Sequence, residues 1–296
     1  MTCVLLAGAS GALGWEVDRA LRSHGIAVKR LMRSNGGASD WLADLRHPES
    51  VRGACEGVDA VISCAGASMN LNQWGNRAGF REIDFRGNRS LLEEAKRSAV
   101  SKFVYVSLND GPKMLHTAYG KWHEAFVDCL ADSGLQYSVI RPTGLYSFFG
   151  EILEMARKGH GVVIGHGDAR TNPIHHADAA QVCVEALYES RVDFPIGGPE
   201  ILTRKQIVEM AFEALGTAPR LHFVPGWMMG AAPAIMRLFN QRIAELTEFG
   251  TAVSQVDCIA PPSGERRLAD YFRELAQPGS ENGRRHVSGR SSAVSA

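Results

Sequence analysis

The chain has 296 residues, 45% of them hydrophobic, and its 32 Lys and Arg balance 32 Asp and Glu. This suits one large α/β domain or a core with a smaller lobe, and the neutral total gives no case for nucleic acid or an anionic membrane as main partner. No run reaches the ~20 apolar residues of a membrane span, no signal peptide is seen, and six scattered cysteines without a Cys-x-x-Cys pair read as free thiols, so a cytoplasmic protein is expected.

Thr2–Ala7 is a compact apolar run, as a strand buried on both faces requires. Gly8–Gly14 is a turn, and Trp15–His24 has helical spacing. Ala27–Met32 reads as a second strand, Pro48–Glu56 as a short helix and Ala60–Cys64 as another buried strand. Asp84–Ser98 is a long amphipathic helix, Phe103–Ser107 a strand, Tyr119–Ser133 a helix stopped by Gly134, and Tyr137–Ile140 a strand entering Arg141-Pro142. This alternation predicts an α/β fold: a doubly wound parallel sheet with a smaller C-terminal substrate lobe. We divide the chain into a core over 1–145, a lobe intertwined with it over 146–278, and a disordered tail over 279–296, rich in Ser, Gly and Arg.

In the lobe, Glu151–Lys158 and Ala177–Glu189 are helical, Val162–Ile164 is a short strand, and Gly197-Gly198-Pro199 is a turn. Thr203 and Gln206 fit a capping box that opens a helix through Leu215. Trp227–Phe239 is apolar, Met-rich and helical. Its plain reading is core; a cover for an apolar ligand, a dimer surface and an interfacial helix are the alternatives.

Gly8-Ala9-Ser10-Gly11-Ala12-Leu13-Gly14 spells Gly-x-x-Gly-x-x-Gly between a buried strand and a helix. Gly8 permits the sharp exit, Gly11 lets the backbone approach a pyrophosphate, and Gly14 lets the helix pack on the sheet. The helix start then offers free N–H groups and a positive dipole end, so a dinucleotide is expected here. NAD binders usually carry an acidic residue at the end of the second strand, whereas here Lys29-Arg30-Leu31-Met32-Arg33-Ser34 has none. Arg33, with Ser34 beside it, suits a ribose 2′-phosphate, which favours NADP (NADPH) over NAD; Arg30 is the second candidate. Asp44 and Leu45 could hold the adenine, and the small residues Cys64, Ala65 and Gly66 could run beside the ribose.

Together with Phe103–Ser107, Ser133–Gly144, Asn172–Asp178 and Pro195–Glu200, these motifs resemble the atypical short-chain dehydrogenase/reductase superfamily in its NmrA-like branch, over roughly residues 2 to 275. The stretch from Arg141 to Pro225 is distantly similar to divinyl chlorophyllide reductases. The resemblance implies a Rossmann fold, a nicotinamide-facing loop at Pro142-Thr143-Gly144 and a substrate beside the lobe. It also implies a Tyr-x-x-x-Lys pair, in which Tyr119 is the general acid and His123 stands where lysine is usual, with Ser107 polarising a carbonyl and Asn109 about as well placed. His160, His166, His175 and His176 lack the spacing of a metal site; adjacent histidines on one strand point to opposite sides, so loop histidines on the substrate side are expected instead. The expected function is reduction of an apolar or aromatic carbonyl or enone, a small-molecule substrate. The alternative is a non-catalytic NADP(H) sensor or assembly protein, and homo-oligomerisation is open.

Overall fold

The computed structural model describes residues 2–34, 37–67, 69 and 78–277, and the side chains of residues 230–232 and 235 are outside that description. The predicted tail over 279–296 lies outside the described residues.

The chain opens with β1 (Cys3–Ala7), α1 (Ala12–Ser23), β2 (Ala27–Met32), the two-residue β3 (Trp41–Leu42) and β4 (Ala60–Ser63). A π-helical stretch, Arg81–Gly87, runs into α2 (Asn88–Arg97), followed by β5 (Lys102–Val106), α3 (Ala118–Ala131) and β6 (Gln136–Pro142). Then come α4 (Tyr146–Arg157), β7 (Gly161–Ile164), β8 (Arg170–Thr171), α5 (His176–Glu185), β9 (Asp193–Ile196) and β10 (Leu202–Thr203). The chain continues through α6 (Arg204–Ala214), β11 (Leu221–Val224), α7 (Gly226–Arg237), α8 (Gln241–Val253) and α9 (Leu268–Ala276).

Two compact units result. The first takes in residues to Ala67, Ala78–Arg141 and His176–Pro195; the second takes in Pro142–His175 and the chain from Ile196. In the first, seven strands form one sheet in the order β3-β2-β1-β4-β5-β6-β9. Its strands pair in parallel, with Leu5 opposite Lys29 and Val61, and Val104 opposite Ile62 and Ser138. Val4, Leu6, Ile62 and Val104 are fully buried on one face, as are Leu5, Val61, Phe103 and Tyr105 on the other. Covering both faces is what made these strands read as continuous apolar runs. The chain order of the strands turns back at β1, and that puts the C-terminal ends of β1 and β4 at the crevice where such sheets bind ligands.

The second unit has its own core, built by Tyr146, Phe149, Leu153, Phe212, Leu268 and Phe272 from α4, α6 and α9. β7 and β11 pair in parallel, β8 and β10 antiparallel. The capping box is present, with Thr203 and Gln206 each satisfying the other's backbone amide.

Several expectations need correction. Pro48–Glu56 is only a short 3-10 turn over Pro48–Val51, and α4 begins at Tyr146, five residues before the expected start. His175 and His176 do not share a strand: His176 opens α5, while His175 packs its ring against Tyr146 and Tyr271. The expected helix over Trp227–Phe239 runs from Gly226 to Arg237 and is not plain core, because Trp227 and Met228 on it and Leu238 and Phe239 just after it are exposed. Among the described residues no helix is long and apolar enough to cross a membrane, and all six cysteines are free thiols.

Candidate dinucleotide site

The glycine turn is shaped by close backbone contacts. Gly8 leaves β1 at φ +79°, and a Cβ there would lie 2.6 Å from the Cys64 carbonyl carbon. A Cβ on Gly14 would lie 2.1 Å from the Gly8 carbonyl oxygen, so only glycine lets α1 sit this close to the strand end. The Gly8 carbonyl also accepts from the Gly11 amide at 3.0 Å. Leu13 is buried and anchors the first turn, while Ser10, Gly11 and Ala12 face outward. α1 has no side-chain cap and no acidic residue in its first turn. Its first amides are therefore presented to an anion by the helix geometry alone. This arrangement fits a dinucleotide pyrophosphate.

At the end of β2 the two arginine candidates separate. Arg30 grips Asp40 through two hydrogen bonds of 2.9 and 2.6 Å, and Asp40 also accepts from the Gly37 amide. The Asp40 side chain is fully buried, and the Arg30 guanidinium holds its carboxyl below the ordinary value. Arg30, the second candidate for the 2′-phosphate, is thus committed to shaping the loop. Arg33 and Ser34 are exposed. Asp44, expected to hold the adenine, is gripped by Arg46 through contacts of 2.5 to 3.0 Å, which lower its pKa. Its carboxylate would have to share that partner with any base. Leu45 is buried, and its Cβ lies 2.8 Å from where Gly87 would carry one.

Cys64, Ala65 and Gly66 follow β4 and are held from behind by side chains that the sequence reading did not single out. Asp84 Oδ2 accepts from the Ala67 amide at 3.0 Å. Asn88 donates to the Ala65 carbonyl at 3.1 Å and receives the Ser63 hydroxyl at 2.5 Å. Behind Asp84 stands His123. Its Nε2 is 3.1 Å from Asp84 Oδ1, and its Nδ1 is 2.7 Å from the Tyr105 hydroxyl. The Tyr105 hydroxyl and His123 Nδ1 share one hydrogen, whose donor depends on the ring tautomer. The Nε2–Oδ1 approach is close but makes no hydrogen bond among the described residues. His123 and Asp84 are 3% and 1% exposed, so this chain lies in the core. His123, expected to stand in for the lysine, is thus set in the core between Asp84 and Tyr105.

Tyr119 begins α3, one turn before His123, with its ring 4.3 Å from the histidine ring and 4.9 Å from Phe80. Burial, with the Asp84 charge adding, pushes its phenol well above the ordinary value. Ser107 follows β5. Its amide donates to the Ile140 carbonyl at 2.8 Å, and its hydroxyl is buried with no hydrogen-bond partner among the described residues. Such an orphaned donor is the kind of group a bound molecule satisfies. The loop beyond it is clamped: Arg141 donates to the Leu108 carbonyl at 3.2 Å, to both Glu124 oxygens and to Asp193. Pro142 closes β6. Thr143, in the second unit, donates its hydroxyl to the Asn172 carbonyl at 2.6 Å and its amide to the Ile196 carbonyl at 3.1 Å.

A signal for Asp84 and Asn88 was available. Positions 84, 88, 91, 92 and 95 fall on one helical stripe, and Leu91, Leu92 and Ala95 on it are buried. Two polar residues on an apolar stripe mark a buried hydrogen-bonded cluster.

Among curated proteins, the chain is 26% identical to the chloroplastic divinyl chlorophyllide a 8-vinyl-reductase of Arabidopsis thaliana, over 93% of this chain and 77% of that one. It is also 26% identical to the photosystem II assembly factor Ycf39 of Cyanophora paradoxa, over 48% of this chain and 46% of that one. The NADPH-dependent quinone oxidoreductase QOR2 of Escherichia coli, solved with NADPH, shares the fold at a TM-score of 0.62 and 16% identity, over 93% of this chain and all of that one. The family model described as NAD(P)H-binding matches residues 8–190. That span starts at the first glycine of the turn and runs through β2, β4, β5 and β6, and the chain belongs to this NAD(P)H-binding family of Rossmann-type, atypical short-chain dehydrogenase/reductase-like proteins.

Proposed function

We propose that the protein is an NADPH-dependent reductase acting on an apolar or aromatic carbonyl or enone. The observation that carries this reading is the bare amide end of α1, set beside a β2 that runs out into exposed Arg33 and Ser34 with no carboxylate. The amides at Ala12 and Leu13 and the Ser10 hydroxyl would hold the pyrophosphate, and Arg33 and Ser34 the 2′-phosphate. Bound NADPH would supply a hydride. The chain's own residues do the rest. Cys64–Gly66 line the ribose, kept in place by Asp84 and Asn88. The orphaned Ser107 hydroxyl donates to the acceptor oxygen and polarises it. Tyr119, whose phenol keeps its proton at neutral pH, delivers that proton as charge develops. Similarity to a vinyl-reductase supports a conjugated double bond among the acceptors.

A second reading, an NADP(H)-binding sensor or assembly protein without turnover, is favoured by one observation. His123 occupies the lysine position and is tied into the core, so no cation from that position supports a phenolate at Tyr119. Similarity to an assembly factor supports it too. Stopped-flow oxidation of NADPH against carbonyls and quinones separates the two. Turnover that falls at least about tenfold in Tyr119→Phe supports the reductase. Tight NADPH binding with no oxidation by any acceptor leaves the sensor. No binding of either nicotinamide dinucleotide defeats both.

A further inference from the structure

α7 leaves an apolar face uncovered. Trp227 is 80% exposed, Leu238 82%, Phe239 70% and Met228 51%. Scattered apolar residues on a surface need no explanation, but four large ones gathered at the two ends of one helix do: Trp227 and Met228 in its first turn, Leu238 and Phe239 in the turn that follows it. The helix uses its other side for packing, where Pro233 is buried. The twelve residues of α7 span about 18 Å, so Trp227 at its start and Leu238 just past its end stand apart by the length of the helix. Phe223, just upstream on β11, is exposed as well.

The face is electrically quiet. Arg237, the one ionic side chain on α7, is 3.3 Å from Glu248 of α8. That pairing leaves little to attract anionic headgroups. The chain's own residues 278–296 have only Val287 and Val294 as large apolar side chains, too few to cover two exposed aromatics. The area, by contrast, matches a self-association. Four or five mostly exposed side chains of this size offer roughly 600–800 Å². Two copies would bury about 1,200–1,600 Å², the range of stable protein interfaces. A bulky apolar group at each end of one face is also what a two-fold axis needs, because the axis reverses the helix and sets each end against the opposite end.

We infer that α7 forms the centre of a two-fold homodimer interface, with Trp227 of one copy against Leu238 and Phe239 of the other and the axis passing near Ala234. Sedimentation equilibrium of the full chain tests this across a wide concentration range. The expected result is a dimer that the double variant Trp227→Ser, Phe239→Ser weakens by about a hundredfold or more, with far-UV circular dichroism and NADPH titration unchanged. Ala234 is exposed, so Ala234→Cys should give a Cys–Cys link between copies at position 234 under mild oxidation, identified by mass spectrometry. A monomer at every concentration overturns the inference. So does a dimer indifferent to the double variant, a dimer without the link at 234, or a monomeric protein that floats with phosphatidylcholine–phosphatidylglycerol vesicles through this face.

Discussion

The glycine turn and the corner behind Cys64–Ala67 face the same proposed ligand but are built from different material. At the turn, the amides of α1 and the Gly8 carbonyl set the shape, and side chains matter chiefly by their absence at Gly8 and Gly14. At the corner, Asp84, Asn88, His123 and Tyr105 hold the loop through side-chain contacts in the core. A site made of backbone tolerates sequence drift wherever no Cβ intrudes. A site made of buried side chains changes only as a set, since removing one member leaves its partners unpaired. A histidine at the lysine position fits that second rule: it comes with a carboxylate packed against it and a phenol hydrogen-bonded to it.

Substitutions can break this contrast, starting from the largest effect. Gly14→Val drives side-chain atoms into the Gly8 carbonyl and should abolish NADPH binding and lower the melting temperature. Gly11→Ala, whose Cβ would meet only the Gly8 oxygen at 3.3 Å, should weaken binding about tenfold (about 1.4 kcal/mol) with little change in melting. Fluorescence titration and calorimetry check both. Asp84→Ala strips the acceptor from the buried Ala67 amide and the partner from His123. A loss of about 2–4 kcal/mol is expected, or a melting temperature lower by roughly 5–10 °C. If Asp84→Ala melts like the parent, the corner is not a coupled set.

Arg33→Gln should cost NADPH about tenfold in affinity and leave NADH unchanged, and raised salt should erase the difference. Equal losses for both dinucleotides would remove the case for the 2′-phosphate. The smallest effect comes from a control at the other end of the strands. Asp59 accepts from the Thr2 and Cys3 amides and the Thr2 hydroxyl, which lower its pKa to about 2. A carboxyl depressed on folding adds stability above its ordinary value near 4, and loses it as pH falls toward 2. Asp59→Asn should therefore cost under about 1 kcal/mol at neutral pH, and its melting curve should converge with the parent's between pH 4 and 2.

The turn was legible because its determinants are local: three glycines, a strand and a helix within fourteen residues. The same holds for β1, β2, β4 and the Thr203 capping box. β3 has only two residues, too few for any periodicity, and Pro195 inside β9 obscured that strand. α8 and α9 went unassigned because no single motif announces them. The position of His123 was legible from its spacing to Tyr119, but its orientation was not. That depends on Asp84, thirty-nine residues earlier, and on Tyr105 from a neighbouring strand. The pairing of Arg30 was hidden for the same reason: its partner, Asp40, lies past the end of its strand.

The uncapped start of α1 has a practical corollary. A helix end that no side chain closes does not discriminate among small oxyanions, so sulfate and inorganic phosphate should compete there as weak ligands. Affinities measured in phosphate buffer would be underestimates, and thermal scans in sulfate would flatter the empty protein. The choice of buffer is itself a titration of this site.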